Sequence, residues 1–345
     1  MESKLRIAQI VPSLLPKGPV NVSLDLTHLL REQGHFVELF FFDDLEGAVE
    51  VNATRIGWRS KIDWSRFNIV HSHGLRPDLY VRSNYKKMPA SVTTIHNYAK
   101  TDLKHTYNSV VASSFTPVWR WARSKHNAKV VLSQDMMNYY NKTNKKDYVI
   151  IPNTRLIGVE PNSERNAEIE NIRKDFKVIG SLSTVTSIKG LDQILDFISS
   201  TQDWIYVHVG GGELEPLIAK AKELGVEDRC FFLGHKENGF EYVHSFDVFA
   251  IPSISEGFPL SLIEAVQLQV PVVASDIAVF KEIFTEQEVS FFKLQDTPSL
   301  TIAVQDAFLN KDNFAKNAKV RFDSSYSPQV VIQKYIDCYQ SVIHA

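Results

Sequence analysis

The sequence predicts an α/β protein built from two doubly wound, Rossmann-like domains. Three observations support this prediction. The chain has 345 residues, which is more than one hydrophobic core usually organises, so two domains of about 150 residues are expected. Short apolar strands alternate with helical segments, as in proteins whose sheets are parallel. The alternation lapses once, in a polar stretch, and then begins again.

The first half opens with a βαβ unit. Residues 6–11 and 36–42 are predicted strands, and residues 20–33 between them are predicted to form a helix with an apolar stripe. Gly34 follows this helix, at a position where a residue with positive φ is commonly needed. Together with the strands below, this unit predicts an N-terminal domain over residues 1–160. Further strands are predicted at residues 69–72, 91–96, 129–133 and 148–151.

The second half repeats the alternation after a polar, charged segment at residues 161–176, which is predicted to be a linker. A C-terminal domain is expected over residues 177–325. Residues 326–345 are predicted to form a helix that packs back across the domains. Strands of the second domain are predicted at 177–180, 204–209, 230–233, 248–251 and 272–274, and helices at 191–199 and 214–224.

The composition is that of an ordinary globular protein, with 44% hydrophobic and 23% charged residues. The two cysteines, Cys230 and Cys338, exclude a disulfide framework and a four-thiolate zinc site, and they favour a reducing compartment. The N-terminus lacks the apolar core of a signal peptide, and no apolar run approaches the roughly 20 residues that span a bilayer. A cytoplasmic location is therefore expected.

Charge is unevenly distributed along the chain. Residues 1–150 contain 21 Lys/Arg and 13 Asp/Glu, whereas the remaining residues contain 17 and 27. Such asymmetry can mark a surface for anionic partners, or it can be drift between two domains. Neither interpretation points to a nucleic-acid partner.

The most informative loop follows the predicted strand 248–251. Glu256 lies in this loop, and Glu264 lies about one turn into the next helix. In open α/β sheets ligands bind beyond the carboxyl ends of strands. A carboxylate can accept two hydrogen bonds from vicinal hydroxyls, so the pair could hold both ends of a nucleotide sugar. For an isolated pair the ordinary alternative is that Glu256 complements the helix dipole and Glu264 is solvated.

The helix start after Glu256 would receive the diphosphate of such a donor. Backbone N–H groups at a helix N-terminus are free to bind anions, and glycine permits close approach of the backbone. The predicted donor-binding residues here are Gly257, Phe258, Pro259, Leu260 and Glu264.

These motifs resemble those of a known family. S-E-G-F-P-L at 255–260, I-E-A at 263–265 and P-V-V-A-S at 271–275 resemble the E-x7-E signature of retaining glycosyltransferases with the GT-B fold, especially glycosyltransferase family 4. The resemblance implies two Rossmann-like domains with an interdomain cleft, in which residues 1–160 are the acceptor-side domain and residues 177–325 the nucleotide-sugar-binding domain. It also implies retention of anomeric configuration. It further implies that Glu256 orients the donor sugar and that Glu264 holds the ribose.

Other segments match the family pattern in order. F-L-G at 232–234 resembles the turn before the base-binding loop, which implies that His235 and Lys236 offer backbone contacts to the nucleobase. Residues 246–253 resemble the strand that introduces the glutamate pair. Residues 209–213 resemble the family's glycine turn, although alone they indicate only a strand-to-helix loop. The resemblance covers most of residues 178–285.

The phosphate-binding segment departs from the family pattern. Lys189-Gly190 resembles the end of G-R-L-x-x-x-K-G, in which Arg and Lys neutralise the diphosphate, so the resemblance implies that Lys189 stabilises the leaving group. Ser181 stands where Arg is usual, and three extra residues separate Gly180 from Lys189. Because serine cannot neutralise a charge, another cation or a helix dipole would have to compensate.

The first half contributes two further matches. T-I-H at 94–96 resembles the family's T-x-H segment, which implies that His96 contacts the donor sugar or phosphate at the reacting side. Gly18 and Pro19, in the loop before the first helix, resemble the family's glycine loop, which faces the acceptor and diphosphate; the second glycine is replaced by Pro19.

Metal binding is not predicted. The motif His71-Ser72-His73 directs two imidazoles to one side of a strand, but no third ligand is evident, so a structural role is favoured. No Asp-x-Asp loop is placed to hold a divalent ion against a diphosphate. A metal-independent reaction without a cofactor is expected, with a UDP- or GDP-sugar as substrate.

A basic and aromatic stretch at residues 117–126 has two interpretations. With Arg82, Lys86 and Lys87 it could lie on an anionic membrane surface, or Trp119 and Trp121 could be core residues. The predicted activity is transfer of a sugar to a glycan or lipid-linked glycan in bacterial surface polysaccharide or lipopolysaccharide assembly, at the inner face of the membrane. Alternatives are a sugar-nucleotide epimerase and a catalytically idle binding subunit. A dehydrogenase is disfavoured, because the first loop lacks G-x-G-x-x-G.

Overall fold

The computed structural model describes residues 4–100, 109–141, 148–159 and 164–344. These residues form two compact units. Unit 1 comprises Met1–Leu156 together with Tyr326–Ala345, and unit 2 comprises Ile157–Ser325. Within the described ranges, no helix is long and apolar enough to cross a membrane.

Unit 1 contains a seven-stranded parallel sheet in the order β3-β2-β1-β4-β5-β6-β7. The strands are β1 (Arg6–Ser13), β2 (Phe36–Asp43), β3 (Thr54–Arg55), β4 (Ile69–His73), β5 (Ala90–Thr94), β6 (Ala128–Val131) and β7 (Tyr148–Ile150). The helices are α1 (Gly18–Glu32), α2 (Leu75–Asn84), α3 (Ser109–Arg123), α4 (Gln134–Asn141) and, from the C-terminus, α13 (Pro328–Ile343).

Strand β1, in the interior of the unit 1 sheet, is buried on both faces, as expected for a parallel sheet covered by helices. Ile7 and Ile10 on β1 are fully buried and belong to separate apolar clusters. The predicted C-terminal helix exists as α13 and belongs to unit 1, where Tyr335 and Tyr339 are buried in the same cluster as Ile7.

Unit 2 contains a six-stranded parallel sheet in the order β10-β9-β8-β11-β12-β13. The strands are β8 (Lys177–Leu182), β9 (Trp204–Val209), β10 (Cys230–Phe232), β11 (Val248–Ile251), β12 (Val272–Ser275) and β13 (Ser290–Phe292). The helices are α5 (Ala167–Arg173), α6 (Asp192–Ser200), α7 (Glu215–Glu223), α8 (Phe240–Val243), α9 (Leu260–Gln267), α10 (Ala278–Ile283), α11 (Thr297–Leu309) and α12 (Lys311–Ser325).

The predicted linker at 161–176 is corrected by the structure. It contains α5, whose Ile169 is fully buried, and Arg173 at the end of α5 forms an ion pair with Asp247 at 3.0 Å. Residues 161–163 lie outside the described ranges. The described part of the segment is polar because most of this short helix is exposed, and not because it lacks structure. The boundary between the units falls earlier, after Leu156.

Strand order reverses once in each sheet. In unit 1 the chain crosses from β1 to one side through β2 and to the other through β4, and in unit 2 the same reversal separates β8 from β11. The carboxyl ends of the two strands at such a reversal leave a crevice between diverging loops, where α/β proteins bind ligands. A ligand site is therefore expected at these two positions.

Candidate active site

Two loops meet at the strand-order reversal of unit 2. One follows β8 and the other follows β11. The Ile254 N–H donates to the Ile188 carbonyl at 2.8 Å. The Gln193 side-chain amide donates to the carbonyls of Gly190 and Pro252, both at 3.1 Å. These bonds join the loops to each other and to the start of α6, so the side chains that they present have fixed relative positions.

Gly190 is required where the loops touch. Its φ is +60°, and a Cβ atom at this position would lie 2.4 Å from the Pro252 carbonyl oxygen. Real side chains tolerate neither the conformation nor the contact without movement. A glycine is therefore needed directly after Lys189, because it lets the loop that carries Lys189 pack on the loop that carries Glu256.

Lys189 and Glu256 form an ion pair. The lysine Nζ lies 2.6 Å from the glutamate Oε1, and the Ser253 hydroxyl donates to the same oxygen at 2.7 Å. The side chains are 25% and 11% exposed, respectively. The residue predicted to bind the diphosphate and the residue predicted to bind the sugar are therefore brought together, and each one neutralises the other.

Ser181 lines the same pocket but faces the sheet. Its hydroxyl is buried and lies 2.7 Å from the Tyr206 hydroxyl and 2.8 Å from His208 Nδ1. Burial lowers the pKa of His208 to about 4, so the imidazole beside Ser181 is neutral near pH 7. The position where an arginine was expected therefore contributes neither a charge nor an uncommitted hydroxyl.

Glu264 is 7% exposed and lies in the middle of α9. The interpretation that it is a solvated helix residue is wrong. The first turn of α9 contains no acidic residue, so Glu256 precedes the helix and is not part of its first turn. Between the two glutamates, Gly257 and Phe258 are buried, Pro259 caps the helix and Leu260 is its first residue.

The predicted base-binding residues follow β10. His235 is exposed, and Lys236 forms an ion pair with Glu168 of α5 at 3.0 Å. The nearby glycine turn has a structural explanation: Gly210 has a φ of +143°, and a Cβ there would lie 1.8 Å from the Ser183 carbonyl oxygen. This turn allows the loop after β9 to pack on the loop after β8.

The remaining predicted site residues belong to unit 1. His96 lies two residues beyond the end of β5 and not within the strand, whose predicted range was too long. Gly18 and Pro19 are the first two residues of α1, so the helix begins at these residues and not after them. The proline fits this position, because the first turn of a helix does not need its N–H group.

Three histidines lie near the carboxyl ends of β4 and β5. His71 is hydrogen-bonded through Nδ1 to the Tyr339 hydroxyl and through Nε2 to Thr94 Oγ1, both at 2.8 Å. His73 Nδ1 lies 3.0 Å from His96 Nε2. Both ring nitrogens of His71 have protein partners, which fits the predicted structural role. The described ranges contain no group of three or more His, Cys, Asp or Glu residues that could hold a metal ion.

Burial controls the charge of these imidazoles. It lowers the pKa of His71 and His73 well below the usual value, with smaller contributions from neighbouring histidines. It also lowers the pKa of His96 to about 3, assisted by the positive charge of Arg123. All three rings are neutral near pH 7, so each ring has one N–H donor and one acceptor nitrogen.

Sequence reasoning missed several residues. Ser253 could have been found from its spacing, because a serine three residues before a carboxylate in a turn can donate to it. Gln193 lies in an apolar helix face, and a buried polar residue there signals a specific hydrogen bond. Gln9 gives the same signal within β1. Asp78 does so within α2, where it is fully buried and paired with Arg123 at 3.0 Å.

Residues 162–320 match the family model described as glycosyl transferases group 1. Lys189, Ser253, Glu256 and Glu264 lie inside the matched segment. Over 354 aligned residues this chain is 28% identical to the O-antigen biosynthesis glycosyltransferase WclY of Escherichia coli, and the alignment covers 98% of this chain and 99% of the relative.

Solved structures share the fold of this chain. Sucrose-phosphate synthase from Thermosynechococcus elongatus superimposes with a TM-score of 0.80 at 15% identity, covering 98% of this chain and 99% of that one. HepE from Anabaena, solved with UDP and glucose, gives a TM-score of 0.77 at 16% identity, covering 98% and 100%. The predicted GT-B fold, with two parallel-sheet Rossmann-like units, is confirmed.

Proposed function

We propose that this glycosyltransferase transfers a sugar from a nucleotide-sugar donor to a glycan or lipid-linked glycan, with retention of anomeric configuration and without a metal ion. The observation that supports this most strongly is the Lys189–Glu256 ion pair at the strand-order reversal of unit 2. A cation and a carboxylate held side by side match the two adjacent parts of a donor, which are its anionic diphosphate and its hydroxyl-rich sugar.

Donor binding then requires an exchange of partners. The diphosphate takes Lys189 from Glu256, and a sugar hydroxyl replaces the ammonium as hydrogen-bond donor to Glu256. The backbone between Gly257 and Leu260 meets the phosphates, and buried Glu264 accepts from the ribose hydroxyls. His235 and Lys236 contact the nucleobase through their backbone. Because Ser181 supplies no charge, Lys189 and the α9 N-terminus neutralise the diphosphate.

The proposed chemistry uses the leaving group as the base. The acceptor oxygen bonds to the anomeric carbon on the face from which the diphosphate departs, while the bond from that carbon to the phosphate oxygen breaks. The acceptor proton passes to the departing phosphate oxygen, so charge and atoms balance without a protein general base. His96 contacts the donor sugar at the reacting side and orients it. Gly18 and Pro19 face the acceptor and the diphosphate.

The setting follows from the WclY relative, whose name assigns it to O-antigen biosynthesis. We infer a family 4 enzyme of surface polysaccharide or lipopolysaccharide assembly in the bacterial cytoplasm. We propose a UDP-sugar as the donor, because the structurally similar HepE was solved with UDP. GDP-sugars are the second class of donor to test.

A surface on α3 supports contact with the inner face of the membrane. Trp121 is 54% exposed, so it is not a core residue, and Phe115 is also exposed. The Arg82 guanidinium lies 3.8 Å from the centre of the Trp121 ring. Exposed aromatic rings beside cations are typical of interfacial helices. Flotation with anionic vesicles at rising salt tests this: we expect binding that weakens with screening and with Trp121→Ala, and no binding would contradict it.

The activity is tested by incubating the protein with UDP- and GDP-sugars and a lipid-linked acceptor, then determining the anomeric configuration of the product by NMR. We expect the donor configuration to be retained, with activity undiminished by a metal chelator. An inverted product would contradict the proposed mechanism, and product formation without a nucleotide donor would contradict the proposed function.

A second candidate, a catalytically idle subunit that binds nucleotide sugars, is favoured by one observation. The buried, hydrogen-bonded Ser181 leaves Lys189 without the arginine that usually shares its task. Donor binding without transfer or hydrolysis across a broad acceptor panel would favour this candidate. An epimerase would instead change the donor sugar in the absence of an acceptor.

A further inference from the structure

A chain of hydrogen bonds leads from β1 to His96. The Gln9 side-chain carbonyl oxygen lies 2.8 Å from His73 Nε2, and His73 Nδ1 lies 3.0 Å from His96 Nε2. The two rings are stacked, with centroids 5.3 Å apart. Gln9 and His73 are fully buried, whereas His96 keeps part of its surface exposed. This series of hydrogen bonds therefore connects the core of unit 1 to its surface.

The direction of these bonds follows from what each group can do. A carbonyl oxygen only accepts, so His73 Nε2 carries the proton that it donates to Gln9. The other nitrogen of neutral His73, Nδ1, must then accept. Its partner, His96 Nε2, must donate. That assignment leaves His96 Nδ1 without a proton, and within the described residues it has no hydrogen-bond partner.

We infer that Gln9 and His73 are positioning residues that hold His96 as the Nε2–H tautomer, so that its Nδ1 lone pair accepts a hydrogen bond from a substrate hydroxyl and cannot bind a phosphate oxygen. This inference rests on the proposed function and narrows it. A sugar hydroxyl can donate to Nδ1, whereas an ionised phosphate oxygen brings only lone pairs.

Two observations support the assignment. The low pKa values of His73 and His96 exclude the doubly protonated rings that would erase the tautomers near pH 7. The orientation of Gln9 is supported by Tyr339. The Gln9 amide nitrogen is buried without a hydrogen-bond partner among the described residues. It nevertheless faces the Tyr339 phenol, whose pKa is raised by burial and lowered in part by this amide.

The direct test is NMR of the full chain with 15N-labelled histidine at pH 7.5, since protonated and bare ring nitrogens differ widely in 15N shift. The spectrum of His96→Gln identifies the His96 signals. We expect Nε2 of His96 to be protonated and Nδ1 to be unprotonated. A protonated Nδ1 would overturn the inference. This readout needs no substrate, so it stands or falls separately from glycosyl transfer.

Variants test the part played by Gln9. Gln9→Met removes the acceptor with little change in volume. We expect His96 to lose its single tautomer in Gln9→Met, with a fall in kcat/KM of about 10-fold, the scale of one hydrogen bond. An unchanged His96 tautomer in folded Gln9→Met would contradict the positioning role.

If Gln9→Met does not fold, two substitutions at His73 replace it. His73→Phe keeps the ring shape and removes the acceptor for His96 Nε2, and His73→Gln supplies an acceptor again. We expect mixed His96 tautomers in the first variant and the Nε2–H tautomer in the second. The same single tautomer in both variants would overturn the inference.

Discussion

The two strand-order reversals of this molecule hold opposite kinds of chemistry. At β8 and β11 of unit 2, a lysine and a glutamate face each other with part of their surface exposed. At β1 and β4 of unit 1, Gln9 and His73 are buried and neutral. Burial of a single charge costs several kcal/mol unless it is fully paired, whereas a neutral imidazole needs only hydrogen-bond partners. We therefore propose an anion as the ligand of the unit 2 residues and hydroxyl groups as the ligands of the unit 1 residues.

Asp78 is a charged exception in the core of unit 1. One of its oxygens accepts from the Ser72 and Thr93 hydroxyls at 2.7 and 2.8 Å, and the other accepts from Arg123 Nε at 3.0 Å. Every strong partner lies within the protein, so this charge is structural. The Lys189–Glu256 pair, in contrast, is partly hydrated and can change partners.

The largest expected effect tests that distinction. Asp78→Asn leaves the buried Arg123 charge uncompensated and should lower the free energy of unfolding by about 3–5 kcal/mol. The control is Asp203→Asn, which breaks the exposed pair with Lys177 at 2.7 Å and should cost less than about 1 kcal/mol. Urea unfolding measures both. Similar losses of unfolding free energy in the two variants would show that the buried Asp78–Arg123 pair contributes no more to stability than an exposed pair.

The next effect concerns catalysis. Glu256→Gln keeps the shape of the side chain and removes its charge, so kcat/KM for sugar transfer should fall between about 10-fold and 100-fold, the range for one charge-assisted hydrogen bond. Steady-state assays measure this, with Glu223→Gln on the exposed face of α7 as control. Full activity in folded Glu256→Gln would remove this residue from the site.

The contact between the unit 2 loops gives a smaller, structural effect. Gly190 and Gly225 have φ of +60° and +65°, but a Cβ atom would meet the Pro252 carbonyl at Gly190, whereas at Gly225 it would have no atom within 4 Å. Gly225→Ala should cost about 1–2 kcal/mol from backbone conformation alone. Gly190→Ala should cost about 1–3 kcal/mol more, from overpacking against Pro252. Equal losses in thermal unfolding would show that the loops do not depend on this contact.

The last effect is the pH dependence of unit 1. His71, His73 and His96 have lowered pKa values when folded and regain about 6.5 when unfolded. Their contribution to the free energy of unfolding is complete above pH 6.5. It is lost as the pH falls below 6.5, down to about pH 3 for His96, because in this range only the unfolded protein binds the proton. Each histidine contributes a slope of up to about 1.4 kcal/mol per pH unit.

Urea unfolding between pH 7.5 and 5 measures this slope. His96→Gln should reduce it, and His28→Gln, at an exposed position, should leave it unchanged. A slope that His96→Gln does not alter would mean that folding does not lower the pKa of His96.

Much of the fold could be predicted from the sequence, because parallel strands are short apolar runs with a clear period. The strands 204–209 and 248–251 were predicted with the bounds that the structure gives. The two-residue strand β3 is too short to leave such a pattern. Helix α5 was missed because only Ile169 among its seven residues is buried, so no apolar stripe marks it.

The candidate site was less accessible to prediction. The spacing of Glu256 and Glu264 indicated a ligand, but the ion pair between Lys189 and Glu256 joins residues 67 positions apart, and only the sheet order brings them together. Gln9 and His73 are likewise connected by the neighbouring positions of β1 and β4. Pairings of this kind depend on tertiary structure, which a local pattern does not encode.

The central claim is that Lys189 leaves Glu256 to bind the diphosphate. Calorimetric titration of UDP and GDP, which lack a sugar, tests it most directly in the wild type, Lys189→Met, Glu256→Gln and the control Lys222→Met. Lys189→Met should raise the Kd of whichever nucleotide the wild type binds by about 10-fold or more, the scale of one charge-assisted contact. Glu256→Gln should leave its Kd unchanged or lower, because it releases Lys189. Equal weakening in Lys189→Met and Glu256→Gln would contradict the exchange.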